Sequence, residues 1–314
     1  LALENKGHKV KHFHSWDNYD RFRKVPANVP KKWEQYLGRA VSNVPDPEDC
    51  HESYGRHFEE PFEESMKATG LTPTIISEAE RYTKGVYAKD IHYALQHRDL
   101  LRTIFDRHRT NPLADDWFPL IVYCEKCEKD SATVTDYDGK YGITYTCACG
   151  HSNNINFKET AIVKPPWRID WPMRWFHDHV DFEAAGKEHM TKGGSRATGN
   201  EIIREVWKKE PPVEKKYEFI ILKGLGGKMS GSKGNVISVK EVLDVYEPEL
   251  VRYYFAGSRP ETEFAVSFDL DVLQQYEYYD QMERIYYGKE EAKNEKDKAN
   301  KKRIYEMSNP KHGK

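Results

Sequence analysis

Long apolar runs are missing from this 314-residue chain, which excludes a helix of roughly 20 consecutive apolar residues spanning a membrane. The opening LALENKGHKV is charged within five residues, so it has no signal-peptide pattern. It also lacks an initiator Met, and the chain is therefore expected to be a fragment. Excess charge of one sign is missing too. The 49 Lys and Arg against 51 Asp and Glu leave a net charge of −2, which excludes a uniformly basic nucleic-acid binder and requires any nucleic-acid partner to meet local basic patches. Cysteine is scarce. All five fall in clusters with histidine, which argues against a disulfide framework and for thiolate metal sites in a reducing cytoplasm. No internal repeat is present. What remains is a polar chain, 32% charged and 38% hydrophobic, long enough to bury a sizeable core and to hold two or more modules.

Glycine, by contrast, is concentrated. Residues 223–235, KGLGGKMSGSKGN, hold Gly224, Gly226, Gly227, Gly231 and Gly234, punctuated by Lys223, Lys228 and Lys233. The stretch follows an apolar run at 217–222, YEFIIL, that reads as a buried strand, and precedes a helical pattern opening near Ser238. Glycines let backbone N–H groups approach phosphate oxygens, and lysines add mobile charge, so the loop suits polyphosphate. A solvated glycine loop is the alternative. It is not a Walker A loop, because Ser232 and Lys233 stand in the wrong order for that motif. Lys228–Ser232, KMSGS, resembles the KMSKS signature of class I aminoacyl-tRNA synthetases, and KMSGSKGN resembles the version found in class I lysyl-tRNA synthetases. Gly231 departs from the general signature, and Lys233 offers the missing charge two residues on.

Two clusters suit metal. Asp46, Cys50, His51 and His57 supply one carboxylate, one thiolate and two imidazoles within twelve residues, enough for a closed tetrahedral zinc site. The spacing matches no common finger, and chance clustering stays open on the residues alone; the lysyl-family resemblance implies a zinc site here. Between 120 and 157, Cys124-x2-Cys127 is followed about twenty residues later by Cys147-Ala-Cys149-Gly-His151, the pattern of a zinc ribbon. C-x-C is cramped for two ligands on one ion, so Cys124, Cys127, Cys147 and His151 are the expected set, with Cys149 spare. Four protein ligands leave no open position, and the role expected is structural.

Further along, PWRIDWPMRW gathers three tryptophans, two arginines and an aspartate. Aromatic walls beside an acid suit a lysine side chain; a packed, Pro-rich core segment is the competing reading. The resemblance implies that Trp167, Asp170, His189 and Tyr217 form the lysine and adenylate contacts, that Lys228 and Lys233 stabilise charge on the ATP phosphates with Mg²⁺, and that Ser230 and Ser232 orient the loop.

Alternating β and α patterns with a zinc-ribbon insertion lead us to expect an α/β, Rossmann-like class I catalytic domain followed by the start of a helical domain. The expected layout is a first catalytic part at 1–119 with a zinc-binding insertion near 46–57, the ribbon at 120–157, a second catalytic part with the KMSGS loop at 158–237, a helical stem-contact region at 238–288 and a charged tail at 289–314. The aromatic positions of the long helical stretch after Ser77, among them Tyr82 and Tyr87, read as core. The resemblance covers about 8–288. It implies ATP-dependent activation of lysine and transfer to tRNA(Lys), with two structural zinc ions. The resemblance also implies a HIGH-type motif just after a first strand and a helical anticodon-binding domain beyond residue 288; neither is read within these 314 residues, and the chain alone is expected to be inactive. A class I synthetase of other specificity and a non-catalytic RNA-binding paralogue are the competing readings.

Overall fold

A computed structural model describes residues 2–224, 229 and 236–309. Among them the strands are β1 (Phe13–Trp16), β2 (Thr74–Ser77), β3 (Ile121–Val122), β4 (Ala132–Tyr137), β5 (Gly142–Cys147), β6 (Ser152–Asn156), β7 (Val163–Lys164), β8 (Phe182–Gly186), β9 (Val213–Tyr217), β10 (Ile220–Leu222) and β11 (Phe264–Val266). The α-helices are α1 (Tyr54–Ala68), α2 (Glu78–Thr83), α3 (Ala88–Gln96), α4 (Arg98–Asp106), α5 (Trp167–Asp178), α6 (Ser195–Glu205), α7 (Val239–Leu243), α8 (Pro248–Gly257), α9 (Asp271–Tyr286) and α10 (Glu295–Ser308). None is long and apolar enough to cross a membrane.

The architecture is mixed α/β. β1 pairs in parallel with β2, β8 with β9, and β10 with β11. Each parallel pair is joined through helices, as parallel neighbours require. The cysteine-rich segment instead forms a five-stranded antiparallel sheet in the order β6-β5-β4-β3-β7. The run at 217–222 does not form one buried strand. It divides into β9, exposed along its whole length, and β10, half-buried, because Glu218 and Phe219 leave the ladder between them.

The helical pattern after Ser77 resolves into three helices. Ser77 caps α2 by accepting the Glu80 amide at 3.2 Å. Gly85, at φ +68°, separates α2 from α3. Tyr82, Tyr87, Ile91, Leu101 and Ile104 are all buried in the main core, with Trp175 and Ile202 from α5 and α6. Removing such a side chain from water stabilises the fold by roughly 1.5–3 kcal/mol. A second core joins α8, α9 and α10 through Tyr246, Leu250, Tyr279 and Tyr305. The region expected as a charged tail therefore differs from its composition. α10 is capped by Asn294 and buries Ile304 and Tyr305 against its neighbours, two apolar anchors being enough to hold a helix whose other faces are charged.

α5 is tied to α3 by His177 Nδ1 and Asp90 Oδ2 at 2.8 Å. That hydrogen bond, outweighing partial burial, raises the His177 pKa above the ordinary histidine value. A folded pKa raised above the unfolded one gives stability that is complete below about pH 6.5 and is lost as the pH climbs through the folded value. His177→Gln should therefore lower the melting temperature more at pH 6 than at pH 8.5. An equal loss at both pH values would show that the ion pair contributes nothing.

Candidate functional site

The first metal-type cluster sits where an irregular segment enters α1. Ser53 caps that helix, and its first turn carries His57 towards Asp46, Cys50 and His51. One ligand atom from each of these four residues lies within 4.8 Å of the others. Tetrahedral zinc bonds of 2.0–2.3 Å put ligand atoms about 3.3–3.8 Å apart, so the spacing fits the ion. The Asp46 carboxylate is buried and accepts the amides of Glu48, Cys50 and His51 at 3.1, 3.1 and 2.8 Å. Burial alone would raise its pKa, but these amides and the Cys50 thiol outweigh it and hold the group well below the usual carboxylate range. Cys50 Sγ lies 3.0 Å from His51 Nδ1 and 3.4 Å from His57 Nδ1. The Asp46 carboxylate pushes that thiol up, a penalty that a bound cation reverses.

In the ribbon the structure corrects the expected fourth ligand. Cys124, Cys127, Cys147 and Cys149 come together, with Cys124 and Cys149 sulfurs 3.7 Å apart and those of Cys127 and Cys147 also 3.7 Å apart. His151 is not in the group. Its Nε2 is directed to Glu125, 3.9 Å from Oε2, and Glu125 is itself held by Tyr145 and Asn153. The C-x-C spacing proves roomy because the chain reverses immediately. Gly150 adopts φ +82° and its amide donates to the Cys147 carbonyl, so Cys149 faces the knuckle and His151 leads into β6, its carbonyl accepting the Cys147 amide. Burial pushes the Cys124 thiol up to about 11. Burial also opposes ionisation of Cys147, but the Cys149 amide and the Ser131 hydroxyl outweigh it and bring that thiol down to about 6.

A third constellation lies at the carboxyl ends of β8 and β9, where open α/β sheets place their ligand crevices. Trp167, Trp171 and Trp175 recur every four residues and so share one face of α5. Trp167 stacks on Trp171 at 4.9 Å, and His189, just past β8, meets Trp171 edge-on at 5.6 Å. His189 is oriented by Ser195 Oγ, 2.8 Å from its Nδ1. Tyr217 ends β9 opposite Gly186, and its carbonyl accepts the Lys187 amide at 3.0 Å. Its hydroxyl is pushed up by partial burial and by the charges of Glu188 and Glu183. Two glycines prepare the start of α6. Gly193 has φ +71°, whereas a side chain on Gly194 would lie 2.6 Å from the His189 carbonyl and 2.8 Å from that of Thr191.

Trp167 and His189 thus gather around Trp171, whose indole N–H donates to Glu183, and Tyr217 ends the neighbouring strand opposite Gly186. Asp170 does not join them, and its expected place beside a substrate ammonium is overturned. Its carboxylate is 1% exposed and points into the core, where Tyr82 donates to it. Lys164 Nζ lies 3.1 Å away and Arg174 Nε 3.3 Å away. Burial would raise its pKa, but Arg174 and Lys164 prevail and lower it. An α-helix turns 100° per residue, so Asp170, one residue before Trp171, faces away from that ring and shares its side of α5 with Arg174 instead. Sequence reasoning passed over Glu183; the four-residue spacing of the tryptophans was the available signal that their indole N–H groups need a common acceptor. Lys228, Ser230, Ser232 and Lys233 lie outside the described residues. At the entrance to their loop, Lys223 is paired with Asp269 and Asp271, and its amide donates to Val266.

Comparison with known proteins places these features in one family. A family model described as tRNA synthetases class I (K) matches residues 1–311. The lysine–tRNA ligase of Borreliella burgdorferi is 47% identical over 311 residues, which cover 98% of this chain and 59% of that protein. The lysine–tRNA ligase of Pyrococcus furiosus is 45% identical over 314 residues, 99% of this chain and 59% of that protein. That of Streptomyces coelicolor is 34% identical, with 90% of this chain and 54% of the relative covered. The chain thus spans less than two thirds of the length of these relatives. Matched along nearly its whole length, the chain belongs to the class I (K) tRNA synthetase family.

Proposed function

We propose that this chain contributes the amino-acid side of a lysine–tRNA ligase site: it binds lysine for ATP-dependent activation to lysyl-adenylate and transfer to tRNA(Lys). The observation that carries this reading is the meeting of Trp167 and His189 at Trp171, beside the strand ends where Tyr217 pairs with Gly186, in a chain whose relatives are named lysine–tRNA ligases. Indole faces cover the aliphatic stem of lysine and attract its ammonium. His189 and Tyr217 supply polar atoms at the rim. The fold we infer is Rossmann-like, with the parallel pairs as its sheet. Activation of a carboxylate by ATP requires positioning and charge stabilisation and no protein nucleophile. Lys228 and Lys233, with Ser230 and Ser232, would meet the ATP phosphates together with Mg²⁺. Zinc would be held by Asp46, Cys50, His51 and His57, and by the four ribbon cysteines, in structural roles. The setting inferred is the cytoplasm.

Isothermal titration tests the reading. L-lysine should bind and norleucine, which lacks the side-chain ammonium, should bind at least about tenfold more weakly, as expected when a polar site group loses its partner. Equal affinity for the two, in zinc-replete folded protein, would sink the lysine assignment.

A further inference from the structure

We propose that Glu183 is a positioning residue, the common anchor that sets the indole wall of the amino-acid site; this rests on the lysine reading above. Glu183 stands on β8, and its carboxylate accepts the Trp171 indole N–H at 3.0 and 3.1 Å and the Trp175 indole N–H as well. One acceptor thereby fixes two rings from successive turns of α5. Trp171 is the ring that touches both Trp167 and His189, so its orientation passes directly to the faces that would meet the ligand.

Behind this carboxylate lies Arg196 of α6, 1% exposed. Its guanidinium sits over Trp175 at 4.2 Å and over Trp171 at 5.5 Å. Nε pairs with Glu214 of β9 at 2.9 Å, Nη2 donates to the Pro212 carbonyl at 2.8 Å, and Nη1 lies 3.8 Å from Glu183. Nη1 is buried without a hydrogen bond of its own, and the guanidinium charge is shared between Glu214 at Nε and Glu183 facing Nη1. The wall is thus clamped from two sides: an anion takes the indole edges, and a cation covers the indole faces. α5, β8, α6 and β9 all contribute. The role of Asp170 is different, since its partners are Tyr82, Lys164 and Arg174 and none is an indole N–H.

The experiment is a ¹⁵N-indole spectrum of the whole chain, joined to lysine titration. In Glu183→Gln the Trp171 and Trp175 N–H signals should move upfield, while those of Trp16 and Trp33, which donate to Glu63 and to the Pro45 carbonyl, stay in place. Lysine affinity should fall about tenfold, a coupling within the usual range for groups in one network. In a Trp171→Phe background the same change should cost less than about twofold, because the bond through which Glu183 acts is already gone. Unmoved indole signals overturn the proposal whatever the ligand. Moved signals with unchanged lysine affinity overturn it too. An equal affinity loss in both backgrounds would mean that Glu183 meets the ligand itself. If the wild-type chain shows no lysine binding, the proposed function fails, and the indole signals alone decide whether Glu183 holds the wall. Should Glu183→Gln fail to fold, Trp175→Phe carries the test: with one donor removed, the Trp171 signal should shift further downfield, and no shift overturns the proposal.

Discussion

Asp170→Asn is expected to cost about 3–5 kcal/mol of folding stability and to leave lysine affinity of the folded protein unchanged. The carboxylate is sealed in the core with Lys164, which also pairs with Asp20, and Arg174, which also reaches Asp17 at 2.8 Å and Glu78 at 3.2 Å. Neutralising the central anion leaves two buried cations sharing the outer acids, of which Asp17 and Asp20 are partly exposed and only Glu78 is fully buried. Desolvation of a cation is then uncompensated, which costs more than the pair contributes as a net interaction. Urea unfolding followed by tryptophan fluorescence reads the stability, and titration at low temperature reads lysine. A stable variant with weakened lysine binding would return Asp170 to the amino-acid site.

Cys149→Ser is expected to remove one of the two zinc ions proposed above, and to loosen the hairpin of β5 and β6. Structural zinc contributes on the order of 10–16 kcal/mol of apparent binding energy in isolated finger peptides, so losing one thiolate of four is felt by the whole module. His151→Ala should leave metal content unchanged, since its ring faces Glu125. Cys50→Ser should remove the other ion. Metal analysis of the three variants decides. Zinc retained in Cys149→Ser and lost in His151→Ala would restore the histidine as ligand.

These two residues mark where the sequence was legible and where it was not. Motif spacing singled out both groups of metal-type side chains, which the fold brings together, and the aromatic segment, because ligand types and helical recurrence are local properties. It also marked Tyr82 and Tyr87 as core. Cys149 was misread because a left-handed glycine, invisible to spacing rules, decides which way a C-x-C turns. Asp170 was misread because its partners, Tyr82 and Lys164, lie 88 residues upstream and six residues back across a strand boundary. Neither contact is written in a window around WRIDWP. Glu183 was overlooked for a related reason: one acid in FEAAG has no pattern until α5 is laid across it.

The paired glycines before α6 have a consequence for how this protein can drift genetically. Gly193 is held by its backbone angle, which asparagine and aspartate also tolerate, and the space around it is open apart from His108 at 3.9 Å. Gly194 is held by crowding, since any β-carbon would press on the carbonyl that receives the Arg196 amide. Neighbouring codons that look interchangeable therefore carry unequal freedom. The first can wander among a few residues; the second is pinned, and pins His189 with it.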